Sequence, residues 1–232
     1  MTLTKVTLII IFLFVIQIAS AQTFLGFDAG VSNNVLNTNI TNRASTVINS
    51  KSGYLVELLY EHRMSRLFYI KISPNIIQKN YTIKRTDSLS GVFTQYNNTY
   101  LQLPFKLGVN YGQQLQIFSE FGCYLGYWLS GNVNGDVPDI FSVTNNNNQQ
   151  TFSLSSFNQG YSFNIIRDNR FEFGWVANAG LKYKVSTRYT IFINGCYYQS
   201  LSDQQKKYMI NQVPQYNQTF TFSSGCMYLL KL

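Results

Sequence analysis

Apolar and polar side chains alternate without interruption over residues 100–111. Leu101, Leu103, Phe105, Leu107, Val109 and Tyr111 fall on one side, and Tyr100, Gln102, Pro104, Lys106, Gly108 and Asn110 on the other. A period of two marks a β-strand whose faces meet different surroundings. The pattern recurs at 116–129, 171–185, 188–198 and 219–232, and more loosely at 23–32, 53–61 and 67–77. No helical period competes with it in this region. Eight antiparallel strands are therefore expected, an even number of the kind that closes an up-and-down transmembrane barrel.

The connections narrow the choice of fold further. Residues 63–66, 112–114 and 186–187 leave room only for tight turns, whereas 33–52, 78–99, 130–170 and 199–218 are long. Short and long connections alternate along the whole chain. A β-sandwich has no reason to keep that order, but an outer-membrane barrel does, with short periplasmic turns and long external loops. The long connections are rich in Asn, Gln, Ser and Thr, and 145–150 is a polar low-complexity tract expected to be mobile.

Composition agrees with burial in lipid. The 232 residues are 45% hydrophobic and 16% aromatic, and only 12% are charged, which leaves few charges for a water-facing shell. The N-terminus reads as an export signal. One cation, Lys5, precedes an apolar run over 6–18, and Ala19, Ser20 and Ala21 form a small-residue cleavage site. Residues 1–21 are expected to be removed, leaving a 22–232 barrel domain in the cell outer membrane. No later stretch is long and apolar enough for a spanning helix, so the crossing has to be made by strands. The net charge is +8 without a compact Lys/Arg block, which argues against nucleic acid as a partner. Cys123, Cys196 and Cys226 have no metal-ligand spacing and read as small packing residues.

With the short turns placed at the periplasm, the apolar face carries aromatics at two levels, as expected where a barrel crosses the two interfaces. Tyr60, Tyr111, Tyr183, Tyr189 and Tyr228 form the inner girdle. Tyr54, Tyr127, Phe173, Trp175, Tyr197 and Phe220 form the outer one. Charges take the opposite face. Asp28, Glu57, Glu61, Glu120 and Glu172 are expected in the lumen together with Lys71, Lys106, Lys182, Lys184 and Arg188. An eight-stranded barrel is just wide enough for side chains to fill it. Charges in such an interior have to be paired, so an ion-pair network that plugs the lumen is the first expectation and a narrow ion path the alternative.

Several of these strands resemble a known family. The run from Thr99 to Gly108, the segment from Phe118 to Tyr127 with Gly122 and Gly126, the segment from Phe171 to Gly180, and Glu57, Leu58, Leu59 and Tyr60 are similar to strands of the PorT-like outer-membrane β-barrel proteins of Bacteroidetes. The resemblance implies the fold and no catalytic residue. The family includes a component linked to type IX secretion and gliding, which makes such a role the alternative. The chain departs from the pattern at its end, with Leu232 in place of a terminal aromatic, and in the 130–170 connection.

Catalysis is not expected. The one histidine, His62, lies beside a short turn, and the outer-loop carboxylates Asp136 and Asp139 have no histidine for company. No catalytic, cofactor-binding or metal-binding residues are expected. The partners expected are outer-membrane lipid around a monomeric barrel and an extracellular protein or polysaccharide at the long loops, since long loops on a rigid scaffold commonly carry function. This points to a surface interaction or envelope structural protein.

Overall fold

The computed structural model describes residues 22–38, 45–146 and 149–231, and the expected signal peptide at 1–21 lies outside them. Every long element is a strand. They are β1 (Thr23–Thr38), β2 (Thr46–Arg63), β3 (Phe68–Ile72), β4 (Asn75–Gln78), β5 (Asn80–Arg85), β6 (Phe93–Gly112), β7 (Leu115–Asn146), β8 (Gln149–Gly160), β9 (Phe171–Lys184), β10 (Tyr189–Ser200) and β11 (Gln215–Lys231).

These elements form a closed antiparallel ring of eight staves. β1 pairs with β2 on one side and with β11 on the other, so the first and last strands join and no edge remains in the wall. The third stave is β3, β4 and β5 in succession, all lying between β2 and β6. Its first break falls at Pro74, which has no N–H for the ladder. The wall stays sealed there because the Leu58 amide donates to the Pro74 carbonyl (2.9 Å) and the Ser73 amide to the Pro104 carbonyl (3.2 Å).

The strands run further than the apolar alternation does. β7 has 32 residues. Its first part pairs with β9, and its far part pairs with β8 in a hairpin that runs on beyond the ladder to β6, which ends at Asp136. Much of what reads as loop in 33–52, 78–99, 130–170 and 199–218 is thus sheet. The physical reason is that backbone pairing continues past the lipid, whereas the demand for one apolar face stops there.

Within the belt the two faces separate cleanly. Phe27, Leu58, Leu107, Phe121 and Leu125 are exposed on the outer face, while Tyr69, Glu61, Lys79 and Lys182 have no exposure at all inside. Aromatic rings enter the lumen where the facing strand has no side chain. A Cβ at Gly108 would overlap the Tyr69 ring, and one at Gly180 would stand 2.8 Å from the tip of Phe118.

Residues 161–170 leave the wall after β8 and cross the end of the barrel that carries the long connections. Tyr161 and Phe163 pack on Trp128 there, with ring centroids 5.0 and 4.9 Å away. A second segment, 201–207, is tied to the first. The Asn169 amide donates to the Gln204 carbonyl (3.0 Å) and the Lys206 amide to the Arg167 carbonyl (2.8 Å). Together the two segments cap the barrel's loop end.

Candidate functional site

The lumen is filled in three tiers. At the turn end, Phe24, Leu59, Phe118, Phe192, Met227 and Leu229 form an apolar cluster. Toward the loop end, Leu55, Ile77, Tyr100, Tyr124, Trp128 and Tyr198 belong to another. Charged side chains occupy the space between and beside them.

Glu120 is the hub of the charged tier. It accepts from the Tyr69 hydroxyl (2.7 Å), Lys71 Nζ (3.2 Å) and Asn178 Nδ2 (2.8 Å), and Lys106 Nζ lies 3.6 Å away. Glu57 takes Asn75 Nδ2 at 3.0 Å and Lys106 Nζ at 3.4 Å. Asp28 accepts from Ser223 Oγ (2.9 Å) and Asn194 Nδ2 (3.2 Å). Nearer the turn end, Glu61 binds Lys182 Nζ at 2.7 Å and Arg63 Nε at 3.0 Å. Nearer the loop end, Glu172 pairs with Lys79 and also accepts from the Tyr124 hydroxyl (2.8 Å) and Asn217 Nδ2 (2.8 Å).

Among the described residues of the lumen, the buried acids Asp28, Glu57, Glu61, Glu120 and Glu172 are matched in number by the buried bases Arg63, Lys71, Lys79, Lys106 and Lys182, and the remaining buried acid, Asp168, belongs to the cap. Equal numbers of opposite charges, each hydrogen-bonded, are what a dry interior requires, because a single unpaired ion there is strongly destabilising. The cations also lie against rings. Lys182 Nζ is 4.2 Å from the Tyr69 centroid and Arg63 Cζ is 4.3 Å from that of Phe24, which further offsets the loss of water.

Two residues expected in this network stand elsewhere. Lys184 is half-buried and Arg188 is exposed, and neither makes an ion pair among the described residues. Both have the inward parity of their strands, but β9 ends at Lys184 and β10 begins at Tyr189, so they sit at the rim, where water is present. Lys79 and Arg63 take part although the sequence reading left them in connections. The missed signal for Lys79 was parity: the odd residues from Tyr69 to Ile77 face inward, and Lys79 is the next odd position beyond the Pro74 break.

The aromatics expected at two levels all project from the outer face. Tyr60, Tyr111, Tyr183 and Tyr189 are exposed toward the turn end, where Tyr189 meets Tyr228 at 5.2 Å. At the other level Tyr54, Phe173 and Phe220 are exposed, Trp175 lies 5.4 Å from Tyr197, and Tyr127 lies 5.1 Å from Phe171. His62 Nδ1 is 3.3 Å from the Thr23 hydroxyl. Asp136 is part of β7 and accepts from Ser156 Oγ at 2.6 Å, and Asp139 is also part of β7. The three cysteines are unpaired thiols.

The cap carries its own polar cluster. The Tyr161 hydroxyl lies 3.0 Å from Asp168 Oδ1 and 2.8 Å from Arg167 Nη2, and Arg167 Nε binds the same carboxylate oxygen at 2.9 Å. The hydrogen bond to Asp168 raises the Arg167 pKa. Burial, reinforced by the Asp168 charge, pushes the Tyr161 hydroxyl up to about 12.

Solved structures of similar architecture are small outer-membrane barrels. Neisserial surface protein A is 11% identical, with 90% of this chain and 98% of that one covered and a TM-score of 0.44. The outer membrane protein OprG from Pseudomonas aeruginosa is 8% identical over 91% of this chain and 96% of its own, with a TM-score of 0.49. The outer membrane protease OmpT from Escherichia coli is 8% identical over 90% and 96%, with a TM-score of 0.42. A search of curated protein sequences finds no match. The profile of the outer membrane protein beta-barrel domain matches residues 20–205, most of the length of the chain. With its closed ring and its apolar outer face, the chain thus belongs to the outer membrane protein beta-barrel domain family.

Proposed function

We propose that this outer-membrane protein is a closed, non-enzymatic barrel that presents its loop end to the outside and works there as a surface interaction protein. It is exported through a signal peptide at 1–21 and stands as a monomer in outer-membrane lipid. One observation carries the closed reading. Glu61, Lys79 and Lys182 sit in the lumen without any contact with solvent, in a charge-matched tier flanked by apolar side chains. A pore needs continuous water, and such a stack excludes it.

The distribution of chain length supports outward binding. At the turn end the connections between β2 and β3, β6 and β7, and β9 and β10 are only a few residues long, which offers little surface to a periplasmic partner. The loop end carries the β7–β8 hairpin and the cap. The same short turns argue against a PorT-like role in secretion or gliding through periplasmic contacts.

Planar-bilayer recording of the purified protein tests the closed reading. The expected result is no stable conductance. A steady open channel whose ion selectivity changes in Glu120→Gln would overturn it and favour a narrow pore.

A further inference from the structure

Beside the cap the barrel holds a cavity of about 240 Å³ that opens to the loop end. Its walls come from the outer parts of the first staves and from both cap segments. Three features of the lining bear on what it could hold. Tyr81 and Tyr96 stack at 4.8 Å and present one aromatic wall, and Tyr161, stacked at 5.0 Å on the buried Trp128, presents a second. Glutamine side chains, Gln204, Gln205 and Gln215, lie among these rings. Gln204 is only 7% exposed and gives its amide N–H to the Tyr100 hydroxyl (3.1 Å), but its carbonyl oxygen is buried without a hydrogen-bond partner. A buried acceptor without a partner is costly.

The lining discriminates between guest chemistries. A purely apolar guest would leave Gln204 Oε1 and the other amides unsatisfied. An anionic guest would find Arg167 already committed to Asp168 and Tyr161. The volume is below the roughly 300–1,000 Å³ of sites for drug-sized ligands, so the guest is small. A pyranose ring has C–H faces that lie flat on aromatic rings and hydroxyls around its edge that donate to and accept from amides. We propose that this vestibule is a binding site for a neutral sugar ring, such as a terminal residue of a glycan, with the Gln204 amide turning on binding so that Oε1 accepts from a sugar hydroxyl. The inference rests on the reading of the loop end as the outward binding face and names the ligand class for it.

Trp128 lines the cavity and offers the readout. The chain has 2 Trp, and the other, Trp175, lies on the lipid face, so Trp175→Phe leaves Trp128 as the sole reporter. The full-length protein, folded in a detergent without a sugar headgroup, would be titrated with the methyl glycosides of glucose, galactose, mannose and N-acetylglucosamine. The expected result is a saturable change in Trp128 emission with a Kd of about 1 mM or tighter for at least one of them. Gln204→Met should weaken that binding by about tenfold or more, since it removes the open acceptor at similar volume. Tyr96→Leu is the second variant should the first not fold, and it should weaken binding through loss of the aromatic wall. Heat-dependent mobility on gels reports whether each variant is a folded barrel. No saturable response to any glycoside overturns the proposal, as does a response unchanged in folded Gln204→Met or Tyr96→Leu. Tighter binding of octanoate or of a sulfated glycoside than of every neutral one overturns it too. A barrel that is silent in bilayers yet binds no glycoside refutes the sugar alone, whereas a conducting barrel refutes the closed reading.

Discussion

In β6 the residues from Tyr100 onward alternate between fully buried and exposed, but from Phe93 to Asn97 every residue is half-buried. The same strand, with the same ladder to β7 on one side, thus has two kinds of surface. In the belt one face meets lipid and the other a packed interior, so each position is forced to be apolar or to be paired. In the outer extension the outer face meets water instead of lipid and the inner face lines an open cavity, so neither constraint is strict. Backbone pairing sets how far the sheet runs, and the surroundings set which side chains it tolerates.

The difference between these regions can be broken most severely from inside the belt. Replacing Glu120 with Ala leaves Lys71 and Lys106 short of a counter-charge and the Tyr69 hydroxyl without its acceptor. The expected loss is about 3–5 kcal/mol in unfolding free energy, read by urea titration of the barrel in lipid vesicles. The outer face of the belt comes next. Leu107 is 64% exposed to the lipid side, and Leu107→Arg should cost about 2–4 kcal/mol near the midplane by the same titration. Val137 is also apolar and 38% exposed, but it lies on the β7–β8 hairpin, beyond the belt. Val137→Arg should stay within about 0.5 kcal/mol of wild type. Equal costs at the two positions would erase the boundary between belt and extension.

The smallest effect belongs to the cap. The fold holds the Tyr161 hydroxyl in its neutral form, with the pKa raised from 10.0 to about 12. Its contribution is complete below the unfolded value and fades as pH rises toward the folded one. Fluorescence of Trp128, which stacks on Tyr161, should therefore report loosening of the cap between pH 10 and about 12, and Tyr161→Phe should remove that component.

The belt was legible in the sequence because lipid enforces alternation. The strand positions, the closed ring and the inward parity of Glu57, Glu61, Lys71, Lys106, Glu120, Glu172 and Lys182 all follow from a period of two. What the period does not carry is height along the barrel. Lys184 and Arg188 have the same parity as the paired lysines but stand at the rim. Lys79 was hidden for a related reason, since Pro74 interrupts its stave and the residues after it are polar enough to pass for loop. Arg63 looked like part of a turn, yet its side chain folds back to Glu61. The outer extension was illegible because water removes the alternation that would have marked it. The cap was illegible because the contact of Tyr161 and Phe163 with Trp128 depends on a path of chain that no local pattern encodes.

A dry lumen separates a plugged barrel from a pore, and a double-mutant cycle on Glu61 and Lys182 tests for it most directly. Their charged atoms are 2.7 Å apart and both side chains are fully buried. In a dry lumen, Glu61→Gln should cost about 3–5 kcal/mol, because it leaves Lys182 without its ion-pair partner, and Lys182→Met should cost less, because Glu61 keeps Arg63. The double variant should cost less than the sum of the two by about 0.5–3 kcal/mol. Single costs near zero that simply add would mean that water reaches both ions, and would contradict a closed barrel.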